Sequence, residues 1–114
     1  GILLTTTGRK SGEPRVVHLP YIPLGSDYLI VASFAGGPRH PAWFHNLSAH
    51  PRVEVQHRRD VFSAVADQLT GDELDEAWLL VAEKGPWYLE YQKKTDREIP
   101  LVRLRRHGGT DPFP

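Results

Sequence analysis

The chain has 114 residues, enough for one compact domain and too few for a second folded unit. Hydrophobic residues at 39%, charged residues at 25%, and only 10 Gly and 10 Pro describe a globular chain rather than a disordered or low-complexity one. Zero Cys excludes disulfides, a thiolate nucleophile and a Cys-ligated metal, and a formal net charge of zero argues against a general nucleic-acid binder.

The chain opens at Gly1 without Met and without a basic, apolar leader, so its native start is expected to be missing. Ile2–Thr7 is short, apolar and Thr-rich, which suits a strand. Gly8-Arg9-Lys10-Ser11-Gly12 then places two cations in a glycine-bracketed turn. Residues 15–21 and 27–33 resume strand patterns around a turn at 23–26, and these three elements suggest an antiparallel meander. A glycine loop at 35–41 ends in Pro41, suited to the first position of a helix that runs to about residue 49. Residues 52–57 and 60–69 read as two more strands joined at Arg58-Arg59.

Thr70 and Glu73 have the spacing of a capping box, and Leu74, Ala77, Trp78 and Val81 form the apolar stripe of the helix that follows. Gly85-Pro86 stops that helix and opens a shorter one over 87–95. Residues 99–105 make the last strand, and 107–114 read as a loose tail. About six mostly antiparallel strands with three inserted helices give an α+β chain, a small barrel or half-barrel rather than a parallel βαβ sheet. No apolar run is long enough to cross a bilayer.

Charge is unevenly spread. Residues 1–59 carry seven basic and three acidic groups, 60–90 one and eight, and 91–114 six and three. A basic first half in a neutral chain fits a local pocket for a small anion better than a polyanion-binding face, although charge alone favours an ordinary mixed surface over either. His40, His45 and His50 are spaced five apart, about 140° per step around a helix, which disfavours one metal site. The acidic residues 72–76 complement the positive end of their own helix. There is no phosphate loop of Walker type and no dinucleotide glycine fingerprint.

Two features remain. Adjacent cations with hydroxyls and glycine amides, as at 5–12, can hold a phosphate or carboxylate, although solvated hairpin tips look similar. Trp43, Phe44, Trp87, Tyr88 and Tyr91 concentrate aromatic surface that can sandwich a flat ring. Of these, Trp43 and Trp87 are expected in the core, and Tyr88 and Tyr91, at i and i+3, on a shared accessible face.

The strings 3–12, 30–33 with Gly36-Gly37, Pro41-Ala42-Trp43-Phe44-His45-Asn46-Leu47, 51–55, Tyr91-Gln92 and Thr95-Asp96-Arg97-Glu98-Ile99-Pro100 together resemble the deazaflavin-dependent nitroreductase family, actinobacterial reductases that use coenzyme F420. The resemblance implies a split β-barrel of the FMN-binding type over residues 1–106, with F420 in a groove between barrel and helices. It implies that Arg9, Lys10, Ser11 and Gly12 grip the phosphate and glutamyl tail, and that Ser33, Ala35, Gly36 and Gly37 line the deazaflavin. Pro41, Trp43 and Asn46 would shape the helix beyond, and Tyr91, then Tyr88, would face the substrate as hydrogen-bond donors. Phe34 stands where relatives often have Lys, and Gly85 replaces an aromatic, which suggests a more open pocket.

The reaction so implied is hydride transfer from F420H2 to a small hydrophobic quinone, nitroaromatic or enone, without a metal. A non-catalytic binder of F420 or an apolar ligand, and an FMN-binding split-barrel oxidoreductase, are the alternatives. The same resemblance implies a cytoplasmic monomer, with a preceding segment that covers the pocket or touches a membrane.

Overall fold

In the computed structural model, which describes residues 1–107, seven strands form one antiparallel sheet. They are β1 (Ile2–Thr7), β2 (Pro14–Leu19), β3 (Ile22–Leu24), β4 (Asp27–Val31), β5 (Arg52–His57), β6 (Asp60–Gln68) and β7 (Leu101–Arg106). A short 3-10 turn (Phe34–Gly36) and helix α1 (Ala42–Ala49) lie between β4 and β5, and α2 (Gly71–Lys84) and α3 (Trp87–Lys93) between β6 and β7. The strand order β2-β1-β5-β6-β7-β4-β3 curls into a half-barrel.

Alternation builds the interior. Ile2, Leu4 and Thr6 of β1 point inward with Val53 and Val55 of β5, while Leu3, Thr5 and Thr7 turn outward. β4 and the start of β7 are buried on both faces. Ile30 and Val102 face the curl, whereas Leu29, Val31 and Leu101 face the α2 and α3 side, where Ala77 and Val81 complete a second core. A strand covered on both faces reads as a continuous apolar run, as 29–32 does.

Several expectations are corrected. There are seven strands, not six, because residues 22–24, read as the edge of a turn, pair with β4 as β3. Pro23 is tolerated there because β3 lies at the sheet edge. The first three elements are not a meander: β1 and β2 form a hairpin, but β4 sits at the other end of the sheet against β3 and β7. Pro41 precedes α1 as its extended N-cap, with the Phe44 amide donating to its carbonyl.

The Thr70 capping box does not form. Gly71 takes a left-handed φ of +59°, the Thr70 hydroxyl makes no cap bond, and the Glu73 carboxylate is engaged by Arg103 at 3.3 Å. Of the tail expected at 107–114, only His107 is among the described residues, where its amide donates to the Ser63 carbonyl at 2.9 Å.

Candidate functional site

The β1–β2 connection is a closed loop. The Gly8 amide donates to Glu13 O at 2.8 Å and the Gly12 amide to Gly8 O at 2.9 Å, with Gly12 in the left-handed region at φ +72°. From α1, Asn46 reaches into its base. Asn46 Oδ1 accepts the Arg9 amide at 3.1 Å, and Nδ2 donates to the Thr6 hydroxyl at 3.2 Å. This buried amide explains an inward polar residue at Thr6, because two groups taken out of water satisfy each other. Ser11 Oγ closes the loop by accepting the Glu13 amide at 3.1 Å.

The Arg9 and Lys10 side chains are exposed, and no carboxylate among the described residues pairs with either. They stand at the rim of a cavity of about 620 Å³ whose walls include Val16, Val17, Trp43 and Phe34. Phe34, Arg9, Pro41 and Ala42 are shared with a second cavity of about 530 Å³, which adds Arg39, His40, His45 and Arg97. The two cavities meet at Phe34 as one groove of mixed lining, with Val16, Val17 and Trp43 beside the cations Arg9, Lys10 and Arg15 on one side, and Arg39, Arg97 and two histidines on the other.

The wall between them is a strained turn. Phe34, Ala35 and Gly36 have φ of +45°, +52° and +78°, a left-handed run in which only Gly is at ease. Arg97, beyond α3, holds it. Its Nε donates to Gly37 O at 2.8 Å, Nη1 to Ala32 O at 3.1 Å and Nη2 to Ser33 O at 2.6 Å. Nη1 also meets His40 Nδ1 at 2.9 Å, so this His nitrogen is the acceptor. Burial first, then the Arg97 cation and His45, pulls the His40 pKa below its usual value.

The sequence-predicted residues fall into three groups. Arg9, Lys10, Ser11, Pro41, Trp43 and Asn46 line the first cavity, with Gly12 supplying the turn beneath them. Ser33, Ala35, Gly36 and Gly37 form the adjacent turn, with Ser33 buried and its carbonyl taken by Arg97. Tyr88 and Tyr91 lie on α3, behind that turn, where the Tyr91 carbonyl is 2.9 Å from where a Gly36 Cβ would stand; neither lines either cavity.

The aromatic expectations for α3 are partly reversed. Trp87 is 52% exposed and Tyr88 only 6%, while Tyr91 is half-buried and Trp43 packs partly buried against the main core. Gly85 does not open the pocket: the Tyr88 ring and Ile22 fill the space beside it. Burial raises the Tyr88 pKa, so its hydroxyl stays protonated at neutral pH. His40 and His45, separated by the helical-spacing argument, bring their rings to 5.7 Å because His40 precedes the helix. Arg97 and His40 were not singled out by sequence as parts of the site; 57 to 65 residues separate Arg97 from its partners, beyond any local pattern.

A curled antiparallel sheet of seven strands with three inserted helices defines a split-barrel-like fold. The family model for F420H(2)-dependent quinone reductase matches residues 1–106, and the chain belongs to that family, oxidoreductases that take reduced F420 as cofactor. It is 43% identical over 108 residues to an F420H(2)-dependent quinone reductase of Mycobacterium tuberculosis, covering 92% of this chain and 72% of that protein. The solved F420-H2 dependent reductase FDR-A of Mycobacterium smegmatis is 43% identical, with a TM-score of 0.82 over 91% of this chain and 92% of that one. A third structure, described as a domain-swapped dimer, is also 43% identical, with a TM-score of 0.83 over 91% and 78%.

Proposed function

We propose that this chain is an F420H2-dependent quinone reductase whose acceptor is a small hydrophobic quinone. The observation that carries the reading is the pair of cations without carboxylate partners, Arg9 and Lys10, on a loop that Asn46 fixes at the mouth of an apolar cavity. This donor set suits a ligand with a flat ring and an anionic tail: apolar walls for the one, exposed cations for the other. When bound, reduced F420 supplies a hydride to the quinone, which with one proton becomes the hydroquinone.

In this reading Arg9, Lys10 and Ser11, above the Gly12 turn, hold the phosphate and glutamyl tail. The 33–37 backbone flanks the ring, and Pro41, Trp43 and Asn46 shape the wall. Tyr91, half-buried on α3, is the first candidate donor to the acceptor oxygen; Tyr88, the second, is buried beside Gly85 and Ile22, so its hydroxyl reaches an acceptor only if α3 shifts. A tyrosine hydroxyl so placed stabilises charge developing on that oxygen, and solvent completes the protonation.

Fluorescence titration with oxidised F420, then F420H2 with a quinone panel, tests the proposal. Saturable binding with quinone-dependent cofactor oxidation is expected. Stoichiometric binding without oxidation indicates a carrier, and visible flavin absorbance of the purified protein an FMN enzyme. The sequence-based expectation of a monomer is kept as part of this reading, beside a 43% identical relative described as a domain-swapped dimer; analytical ultracentrifugation distinguishes the two. No described helix is long and apolar enough to cross a membrane.

A further inference from the structure

We infer that Arg97 is the positioning residue of the groove: its guanidinium imposes the left-handed run Phe34-Ala35-Gly36 and thereby sets the Phe34 wall that borders both cavities. The inference rests on the reading that this turn flanks the cofactor ring.

The geometry is specific to a planar fork. Three carbonyls, from Ala32, Ser33 and Gly37, and one imidazole nitrogen converge on a single guanidinium. Four of its five N–H groups are used in this way, which commits the side chain to the turn rather than to a ligand. The bonded carbonyls bracket the left-handed run, two of whose three residues, Phe34 and Ala35, are non-glycine, and left-handed non-glycine residues persist only where surrounding contacts over-determine them. Arg97 is itself braced. Gln92 Nε2 donates to its carbonyl at 2.8 Å and Gln92 Oε1 accepts the Ile99 amide at 2.9 Å, while the Arg97 amide donates to Thr95 Oγ1 at 3.3 Å.

The output of this clamp is Phe34. Phe34 is 58% exposed, yet it borders both cavities. A relaxed turn would swing it, and the two halves of the groove would lose their common wall. Gly37 tightens the arrangement, since a Cβ there would stand 3.0 Å from Phe34 O and 3.1 Å from its ring.

The test reads the turn and the ligand separately. Hydrogen exchange follows the Gly36 and Gly37 amides, which donate to Ser33 O and Phe34 O at 2.9 Å, in the ligand-free protein. Arg97→Gln is expected to speed both amides at least tenfold while sheet amides are unchanged, and to weaken F420 binding by a similar factor. Arg97→Lys keeps the charge but not the fork, and is expected to behave like Arg97→Gln; it also serves if Arg97→Gln does not fold. Ala35→Gly in either background should restore part of the lost affinity, because glycine adopts the turn without a clamp.

Unchanged exchange in both variants, or full restoration by Lys, overturns the inference. Faster exchange with F420 affinity unchanged also overturns it, by separating the turn from the groove. A parent chain that does not bind F420 overturns the functional reading instead, and the exchange result still decides whether Arg97 holds the turn.

Discussion

Asn46 and Arg9, 37 residues apart, are joined by a hydrogen bond from the Arg9 amide to Asn46 Oδ1 at 3.1 Å. The contact ties α1 to the cationic loop at its first charged residue. Because Asn46 Nδ2 also donates to the Thr6 hydroxyl, one side chain sets the loop against the strand that precedes it. Asn46→Ala leaves a buried hydroxyl and a loop amide without these partners, which costs about 1–3 kcal/mol. Denaturant unfolding should show that loss, and F420 affinity should fall with it; an unchanged midpoint would remove Asn46 as the anchor.

Arg9→Ala combined with Lys10→Ala should behave oppositely. Both side chains are exposed and make no ion pair with a described carboxylate, so unfolding stability should hardly move. Cofactor affinity should fall about 10- to 100-fold, the scale of one charged hydrogen bond at roughly 1.5–3 kcal/mol. It should also lose much of its salt dependence. A fluorescence titration matching the parent would make the loop purely structural.

Tyr91→Phe is expected to lower quinone turnover while leaving F420 binding nearly intact, since the hydroxyl is assigned to the acceptor and not to the cofactor. Tyr88→Phe should affect stability more than turnover, because Tyr88 is buried against Gly85 and Ile22. Steady-state kinetics of both variants, with melting curves, separate the roles. Equal turnover in the parent and Tyr91→Phe rules out the phenol.

His40 gives a pH dependence of defined sign. Its pKa is lowered in the folded chain by burial, by the Arg97 cation and by His45. The unfolded chain therefore binds more protons, so stability is full above about 6.5, the usual histidine value, and declines as pH falls through the lower folded pKa. Protonation removes the acceptor that Arg97 uses and sets two cations together. The melting temperature should drop on acidification more steeply in the parent than in His40→Gln, whose amide oxygen can accept the same bond without titrating. Parallel profiles would show that His40 contributes nothing.

How much of this was legible follows from the range of each interaction. Alternation along β1, the glycine-bracketed cations and the stripe Ala77–Val81 are local, and the ordered motifs from 3–12 to 95–100 identified the family. What escaped depends on distant partners. The rotation of α3, only seven residues long, is set by the space over Gly85 that admits Tyr88 and leaves Trp87 outside. The strand at 22–24 exists because β4 offers it an edge, and Glu73 abandons the capping box because Arg103 lies across from it. Arg97 was visible within the string 95–100, but its task appears only when the 33–37 turn folds back upon it.

The most direct test of the account is anaerobic mixing of F420H2 with this chain and a soluble quinone. The account predicts enzyme-dependent oxidation of one F420H2 for each quinone reduced, with turnover that saturates in both reactants. Tight F420 binding with no quinone-dependent oxidation above the uncatalysed rate would contradict it.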